Sequence, residues 1–320
     1  MNRIVQCVPN LSEGRDRAKI ERIVAPLKDG KGFKLVRVEP DQDYNRTVIT
    51  LLGDPESMIG PLEAFFERAK QEIDMKKHQG EHPRMGAIDV VPFIPITGVR
   101  ITACVEYAAR LAEGVGKKLG IPVFLYAEAA RQKNRVSLPR IRKGEFEGMK
   151  EKIKDEQWKP DFGPWERHET FGTTAIGARI PLIAYNIDLN TADEKLAASL
   201  ARAIRKSSGG FQYIQAGPAY LEEREHVQVT MNILDYKKNP LYRIFETVRM
   251  EAKRYQVEIM SSEVVGLIPL DALKRSLAYY LSVEGEKLAD TISLDDVVVL
   301  ARKYLLIRDF SREKIIEANL

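Results

Sequence analysis

The order of local elements repeats along this chain, and that repeat limits the fold more than any single motif. Residues 4–9 read as a strand. Residues 17–28 read as a helix with Ile20, Val24 and Leu27 on one face, and 33–38 and 47–52 as two more strands. Asp54-Pro55-Glu56 is a helix start, with Asp as N-cap and Pro at the first helical position. Leu62, Phe65, Phe66, Ala69 and Ile73 then keep the helical period. A strand near Ile88, a helix over about 102–119 and a strand over 122–126 complete the first half. Residues 127–176 are rich in Arg, Lys, Gly and Pro, and a segment so irregular is a linker or a functional loop. The pattern then restarts. A β-like run covers 182–189, and Thr191-Ala192-Asp193-Glu194 reads as a capping box opening a helix. Strands are predicted at 211–215, 227–234 and 264–268, with helices at 240–255, 270–281, 294–304 and the chain end. The halves share no residue-level identity, so the repeat is one of pattern. It implies an α+β protein of two subdomains with helices on one sheet face.

The 320 residues suit one large or two medium domains, and 44% hydrophobic with 30% charged content describes a globular chain. The formal charge of +4 is spread among interleaved signs, as in Lys150-Glu151-Lys152-Ile153-Lys154-Asp155, so no basic stripe for nucleic acid is present. Two cysteines, Cys7 and Cys104, make neither a metal pattern nor a disulfide framework and read as buried thiols. The N-terminal residues lack the apolar stretch of a signal peptide, and no run is long enough to span a membrane. A cytoplasmic protein is expected.

Two of the four histidines fall in His78-Gln79-Gly80-Glu81-His82-Pro83-Arg84-Met85-Gly86-Ala87, just ahead of an apolar strand. Read literally, His78 to His82 is H-x-x-E-H, an inverted zinc-protease signature. That motif needs a helix, and here Gly80 weakens the turn while Pro83 would cost roughly 3 kcal/mol inside one. The competing reading is acid–base chemistry, since imidazole takes and gives protons near neutrality. His82 stands beside the more constrained backbone of Pro83. His226, inside a strand, reads as a packed residue.

Further segments join this run: Cys7-Val8-Pro9-Asn10, Ser12-Glu13-Gly14, Asn45-Arg46-Thr47-Val48, Pro92-Phe93-Ile94-Pro95, Asp161-Phe162-Gly163-Pro164, Gly177-Ala178-Arg179 and Val264-Val265-Gly266-Leu267-Ile268-Pro269. Together, and in this order, they resemble the formiminotransferase family, in its form without a fused cyclodeaminase. The resemblance implies two ferredoxin-like subdomains, 1–178 and 179–320, each a mixed β-sheet with helices on one face, around a folate cleft, in a homodimer. It implies transfer of the formimino group of N-formimino-L-glutamate to N5 of tetrahydrofolate, in histidine degradation. Tetrahydrofolate is then a co-substrate, and no metal is required. His82 matches the family's catalytic histidine. The folate-binding segment falls on Gly163, Pro164, Trp165, Glu166, Arg167, His168, Glu169, Thr170, Phe171 and Gly172. Only Gly163, Pro164 and Gly172 clearly agree there. Trp165 to Thr170 depart from the family's form, and Phe171 replaces another aromatic. Glu39 stands where the family can carry aspartate.

The chemistry is compatible with these residues. N5 attacks the amidine carbon, loses a proton, and the departing glutamate nitrogen gains one; a single histidine can do both. A carboxylate such as Glu39 suits a cationic amidinium. Arg46, Arg84 or Arg179 can clamp the glutamate carboxylates. Three other readings stay open: a formyl donor, a zinc hydrolase using His78 and His82, and a folate-binding protein without chemistry.

Overall fold

The computed structural model describes residues 3–42 and 44–320. Its contacts divide the chain into two units, one ending at Ile180 and one spanning Pro181–Leu320. The sequence placed the boundary two residues earlier.

The first unit opens with β1 (Ile4–Cys7) and β2 (Asn10–Leu11). Pro9, which has no N–H for a ladder, interrupts what is otherwise one strand, since both pieces lie between the same neighbours. Helix α1 (Arg17–Val24) is capped by the Asp16 carboxylate, which accepts from Lys19 N. Strands β3 (Phe33–Asp41) and β4 (Arg46–Gly53) form a hairpin. Helix α2 (Pro55–Glu72) starts as the sequence spacing requires, with Asp54 accepting from Ser57 N. Strand β5 (Ile88–Thr97) completes a βαββαβ unit whose spatial order is β3, β4, β1/β2, β5, the ferredoxin-like arrangement. Helix α3 (Ile101–Leu119), β6 (Val123–Ala127), α4 (Leu138–Arg142), α5 (Glu145–Lys152) and β7 (Thr174–Ala178) extend it. Strand β7 runs parallel to both β5 and β6 and lies between them.

Helices α1 to α3 cover one face of this sheet. Ile20, Phe65, Phe66, Leu111 and Val115 share a core with Ile49, Leu51, Val91, Phe93 and Ile176. The other face is not bare. Ile141, Met149 and Ile153 of the α4–α5 region pack on Val90, Phe124, Tyr126 and Ala175. The segment read as irregular therefore carries a small core of its own, and helices flank both faces of the sheet here. Its few apolar side chains are spaced among so many Lys, Arg and Glu that the sequence hides them. Over β3 and β4 the second face stays polar. Glu39 lies opposite Val48, and Asp41 opposite Arg46, all four on that face.

The second unit repeats the order with β8 (Ile183–Leu189), α6 (Glu194–Ile204), β9 (Ile214–Leu221), β10 (His226–Ile233), α7 (Leu241–Lys253) and β11 (Ile259–Val265). The spatial order is β11, β8, β10, β9, and all three neighbouring pairs are antiparallel. Each crossover helix here joins strands that have one strand between them, so parallel strands never become neighbours. Helices α8 (Leu270–Val283) and α9 (Leu294–Leu305) enlarge the apolar layer, where Leu273, Leu277, Val297 and Ala301 are buried. Several readings differ from the sequence: β11 lies at Ile259–Val265 rather than 264–268, and the chain end forms 3-10 turns over Arg312–Lys314 and Ile316–Asn319 rather than an α-helix. The N-cap of α6 is the Asp193 carboxylate rather than the Thr191 hydroxyl; it accepts from Lys195 N and Leu196 N. Strand β9 continues past residue 215 through Gly217 and Pro218, which an edge strand tolerates.

One buried ion pair ties the irregular segment to the first sheet. The Arg135 side chain is 1% exposed and donates to Asp161 Oδ2 at 2.7 Å, while the same oxygen accepts from Leu125 N at 2.8 Å. Asp161→Ala leaves a buried guanidinium without its counter-charge and costs about 3–5 kcal/mol. Urea unfolding checks this; a loss below about 1 kcal/mol would contradict it.

Candidate active site

Residues 73–87 connect α2 to β5 without regular structure, and other segments hold them along their length. Near the start, Met75 N donates to Thr170 O at 2.8 Å. In the middle, Asn45 Nδ2 donates to Gln79 O at 2.8 Å while Asn45 Oδ1 accepts from Gly14 N at 2.9 Å. At the end, Ser12 Oγ donates to Gly86 O at 2.8 Å, and Ala87 N donates to Phe171 O at 2.8 Å. Thr173 N donates to Met85 O at 2.9 Å. These last bonds need two glycines. A Cβ on Gly86 would lie 2.1 Å from Thr173 O. Gly172 has φ +87°, and its Cβ would lie 2.2 Å from Met85 O.

His82 sits within this frame, half-buried, with its ring edge-on to Tyr44 at 6.3 Å between centroids. Among the described residues no protein group hydrogen-bonds its ring nitrogens. Burial, followed by the positive charges of Arg46 and Arg142 and by His78, pushes its pKa down to about 2. The imidazole is thus neutral at physiological pH and has both nitrogens free. Arg46, at the start of β4, lies over the Tyr44 ring at 5.6 Å, and its buried Nε has no protein partner. Arg142 donates through Nε to Asp89 Oδ2 at 2.8 Å, and a second guanidinium nitrogen donates to the same oxygen. Asp89 is 1% exposed, and its Oδ1 accepts from Met85 N at 3.0 Å.

His78 is different. Its Nδ1 accepts from Arg84 Nε at 3.2 Å and its Nε2 meets Asn45 O at 2.9 Å. Both nitrogens are engaged, and the loop is not helical, so the H-x-x-E-H pair does not form a metal-binding face. Among the described residues no group of three His, Cys, Asp or Glu side chains is placed to hold a metal ion.

The segment from Gly163 to Gly172 forms the wall beside this loop. Gly163, Pro164, Trp165 and Glu166 are exposed. Trp165 Nε1 donates to Ile153 O at 2.6 Å. Arg167 donates to Phe146 O at 3.0 Å and lies over its ring. His168 Nδ1 accepts from Phe171 N, Glu169 pairs with Lys76 at 3.1 Å, and Phe171 is buried against Phe66. Strands β4, β5 and β7 run in one direction, so Arg46, the loop and this wall meet at the edge where they begin. Glu39 lies near that edge on the same sheet face as Arg46, 3.6 Å from the Arg37 guanidinium. Arg179 follows β7 at the opposite edge, roughly 16 Å of strand away, where Tyr126 hydrogen-bonds it. Arg84 has all five N–H groups committed, to Glu145, Glu147, His78 Nδ1 and His78 O, which leaves none for a ligand. The sequence reading missed Tyr44, Asp89 and Arg142. For Asp89 a signal existed, a carboxylate inside the apolar run Ile88-Asp89-Val90-Val91; for Arg142 there was none. A hollow of about 550 Å³ lies on the outer flank of the loop, lined by Lys76, His78, Glu81, Arg84, Glu145 and Glu147 among others; His82 is not in its lining.

The site thus centres on a half-buried histidine with both ring nitrogens free, on a loop locked by main-chain bonds in a repeated α+β scaffold. Residues 4–179 match the formiminotransferase domain, N-terminal subdomain, and residues 184–318 match the formiminotransferase domain. The chain belongs to the formiminotransferase family. It is 45% identical over 284 residues to the glutamate formimidoyltransferase of Streptococcus pyogenes serotype M1, a match covering 89% of this chain and 95% of that protein. Identity to the glutamate formimidoyltransferase of Thermoplasma acidophilum is 44%, over 88% of this chain and 93% of that one. The formimidoyltransferase-cyclodeaminase of Rattus norvegicus is 40% identical over 89% of this chain, which spans 53% of its length.

The depressed histidines set a sign for stability. His78, His82 and His168 all have their pKa lowered in the folded state, chiefly through burial, that of His82 to about 2. The unfolded chain takes up these protons below about pH 6.5, so this contribution is complete above that pH and declines as the pH falls. The melting temperature at about pH 5 is therefore expected below that at about pH 7.5, with a smaller difference in His82→Asn. An unchanged difference in that variant would contradict the assignment.

Proposed function

We propose that this chain is a glutamate formimidoyltransferase. It moves the formimino group of N-formimino-L-glutamate to N5 of tetrahydrofolate, yielding 5-formiminotetrahydrofolate and L-glutamate, in histidine degradation. The observation that carries this reading is His82, neutral and free of protein hydrogen bonds, on a loop joined backbone to backbone to the 163–172 segment. The similarity to glutamate formimidoyltransferases over nearly the whole chain supports the choice of donor and acceptor.

In this reading N5 attacks the amidine carbon, and neutral His82 takes the N5 proton as the tetrahedral intermediate forms. The imidazolium so made, close to Arg46 and Arg142, is a strong acid and returns its proton to the glutamate nitrogen as the C–N bond breaks. Bound substrate carboxylates offset those two cations and raise the histidine's pKa toward the range where it both accepts and releases a proton. Arg46, with its unpartnered Nε, is the first candidate to receive such a carboxylate. Glu39 faces the cationic amidine, and residues 163–172 hold the folate. Tetrahydrofolate is a co-substrate, and no step calls for a metal. A homodimer in the cytoplasm goes with this reading; among the described residues no helix is long and apolar enough to cross a membrane.

His82→Ala is expected to lower kcat by roughly 10²–10⁴-fold with the fold intact by circular dichroism. Near-normal transfer by that variant would falsify the shuttle role. A donor screen with tetrahydrofolate, followed at the pterin chromophore, separates the neighbouring readings. Faster turnover of N-formyl-L-glutamate would make the chain a formyltransferase, and folate binding without turnover of either donor would make it a binding protein.

A further inference from the structure

The first turn of α5 has no part in the chemistry above, yet it grips the histidine loop just past His82. Arg84 is the centre of the grip. Its side chain is 9% exposed and meets Glu147 as a fork, at 2.9 and 2.8 Å, with Glu145 at 2.9 Å. Its carbonyl accepts from Phe146 N at 2.9 Å. The next residue, Met85, is held by its N–H to Asp89, which Arg142 holds in turn. Two consecutive loop residues are thus fastened through charged side chains, Arg84 to the first turn of α5 and Met85, by way of Asp89, to the end of α4. Pro83, with its fixed φ, is all that separates this anchor from His82.

Magnitudes indicate what the grip is for. The Glu145 and Glu147 side chains are 43% and 64% exposed, and ion pairs so open to water contribute little to stability. The loop is also attached independently at Asn45, Ser12 and Thr173. Loss of the fork therefore leaves a folded chain with a loosened His82. Placement is where sensitivity is high, because a shift of about 1 Å in a catalytic group can cost 10²-fold. We propose that Arg84 and Glu147 are positioning residues that set the place of the His82 ring, with the first turn of α5 as their clasp. This rests on His82 being the proton shuttle.

The test is steady-state kinetics on the full chain with both substrates. Glu147→Gln and Arg84→Lys are expected to lower kcat about tenfold or more, with KM for either substrate within about twofold and the fold unchanged. The exchanged pair Arg84→Glu with Glu147→Arg is expected to recover part of the loss. In a His82→Ala background, Glu147→Gln is expected to have no further effect, because a residue acting through His82 is silent without it. Full kcat in Glu147→Gln beside an inactive His82→Ala overturns the clasp alone. Near-normal kcat in His82→Ala overturns the shuttle reading instead. A rise in KM with kcat held would make Arg84 a substrate clamp, and an additive loss in the His82→Ala background would make the fork merely structural; either overturns the proposal.

Discussion

The backbone of the histidine loop and that of the 163–172 segment touch at Gly86 and Gly172, and no side chain could stand between them. Much of the candidate site depends on this approach. It lets Met85, Ala87, Phe171 and Thr173 exchange main-chain hydrogen bonds across two irregular segments, much as two strands would. With these main-chain bonds added to the Arg84 grip, the loop needs no bond from His82 itself for support. That is why the His82 ring can project without a hydrogen-bonding partner and still keep a defined place. Rigidity supplied by the main chain leaves the imidazole available for chemistry.

Around that ring the charges are arranged against protonation. Arg46 and Arg142 come from different elements, a strand start and a short helix, and both bear on His82. Arg142 is offset by Asp89, but the Arg46 Nε has no partner among the described residues. A guanidinium with an unpartnered Nε beside a neutral base suits the anions of the reading proposed above. The donor and the folate proposed above both carry glutamate carboxylates. Their arrival would change the electrostatic state of the histidine as well as fill space.

Much of this was visible in the sequence where local chemistry decides structure. Asp54 and Pro55 start α2 as their types require, and Pro83 with Gly80 rightly denied a helix to the two histidines. The loop itself stood out because its residues suit no regular element. What stayed hidden was set by distant partners. Arg142 is one of many basic residues in its segment, and only the fold brings it to Asp89. The α4–α5 core rests on three apolar residues scattered among charges. Arg84 was a candidate clamp because the substrates implied by the resemblance carry carboxylates; its five donors are taken by groups up to 63 residues away. Strand β9 was cut short because Gly217-Pro218 signals a turn unless the strand is at an edge, and edge position is a property of the whole sheet.

The two units share one βαββαβ plan, yet they differ at the connection between second helix and last strand. In the first unit that connection runs over residues 73–87 and carries both loop histidines; in the second it covers only residues 254–258. The plan therefore offers the same address twice, and only the first carries the histidine loop. A connector outside the sheet can lengthen in one unit and stay short in the other, and neither length disturbs the strand order that both units share.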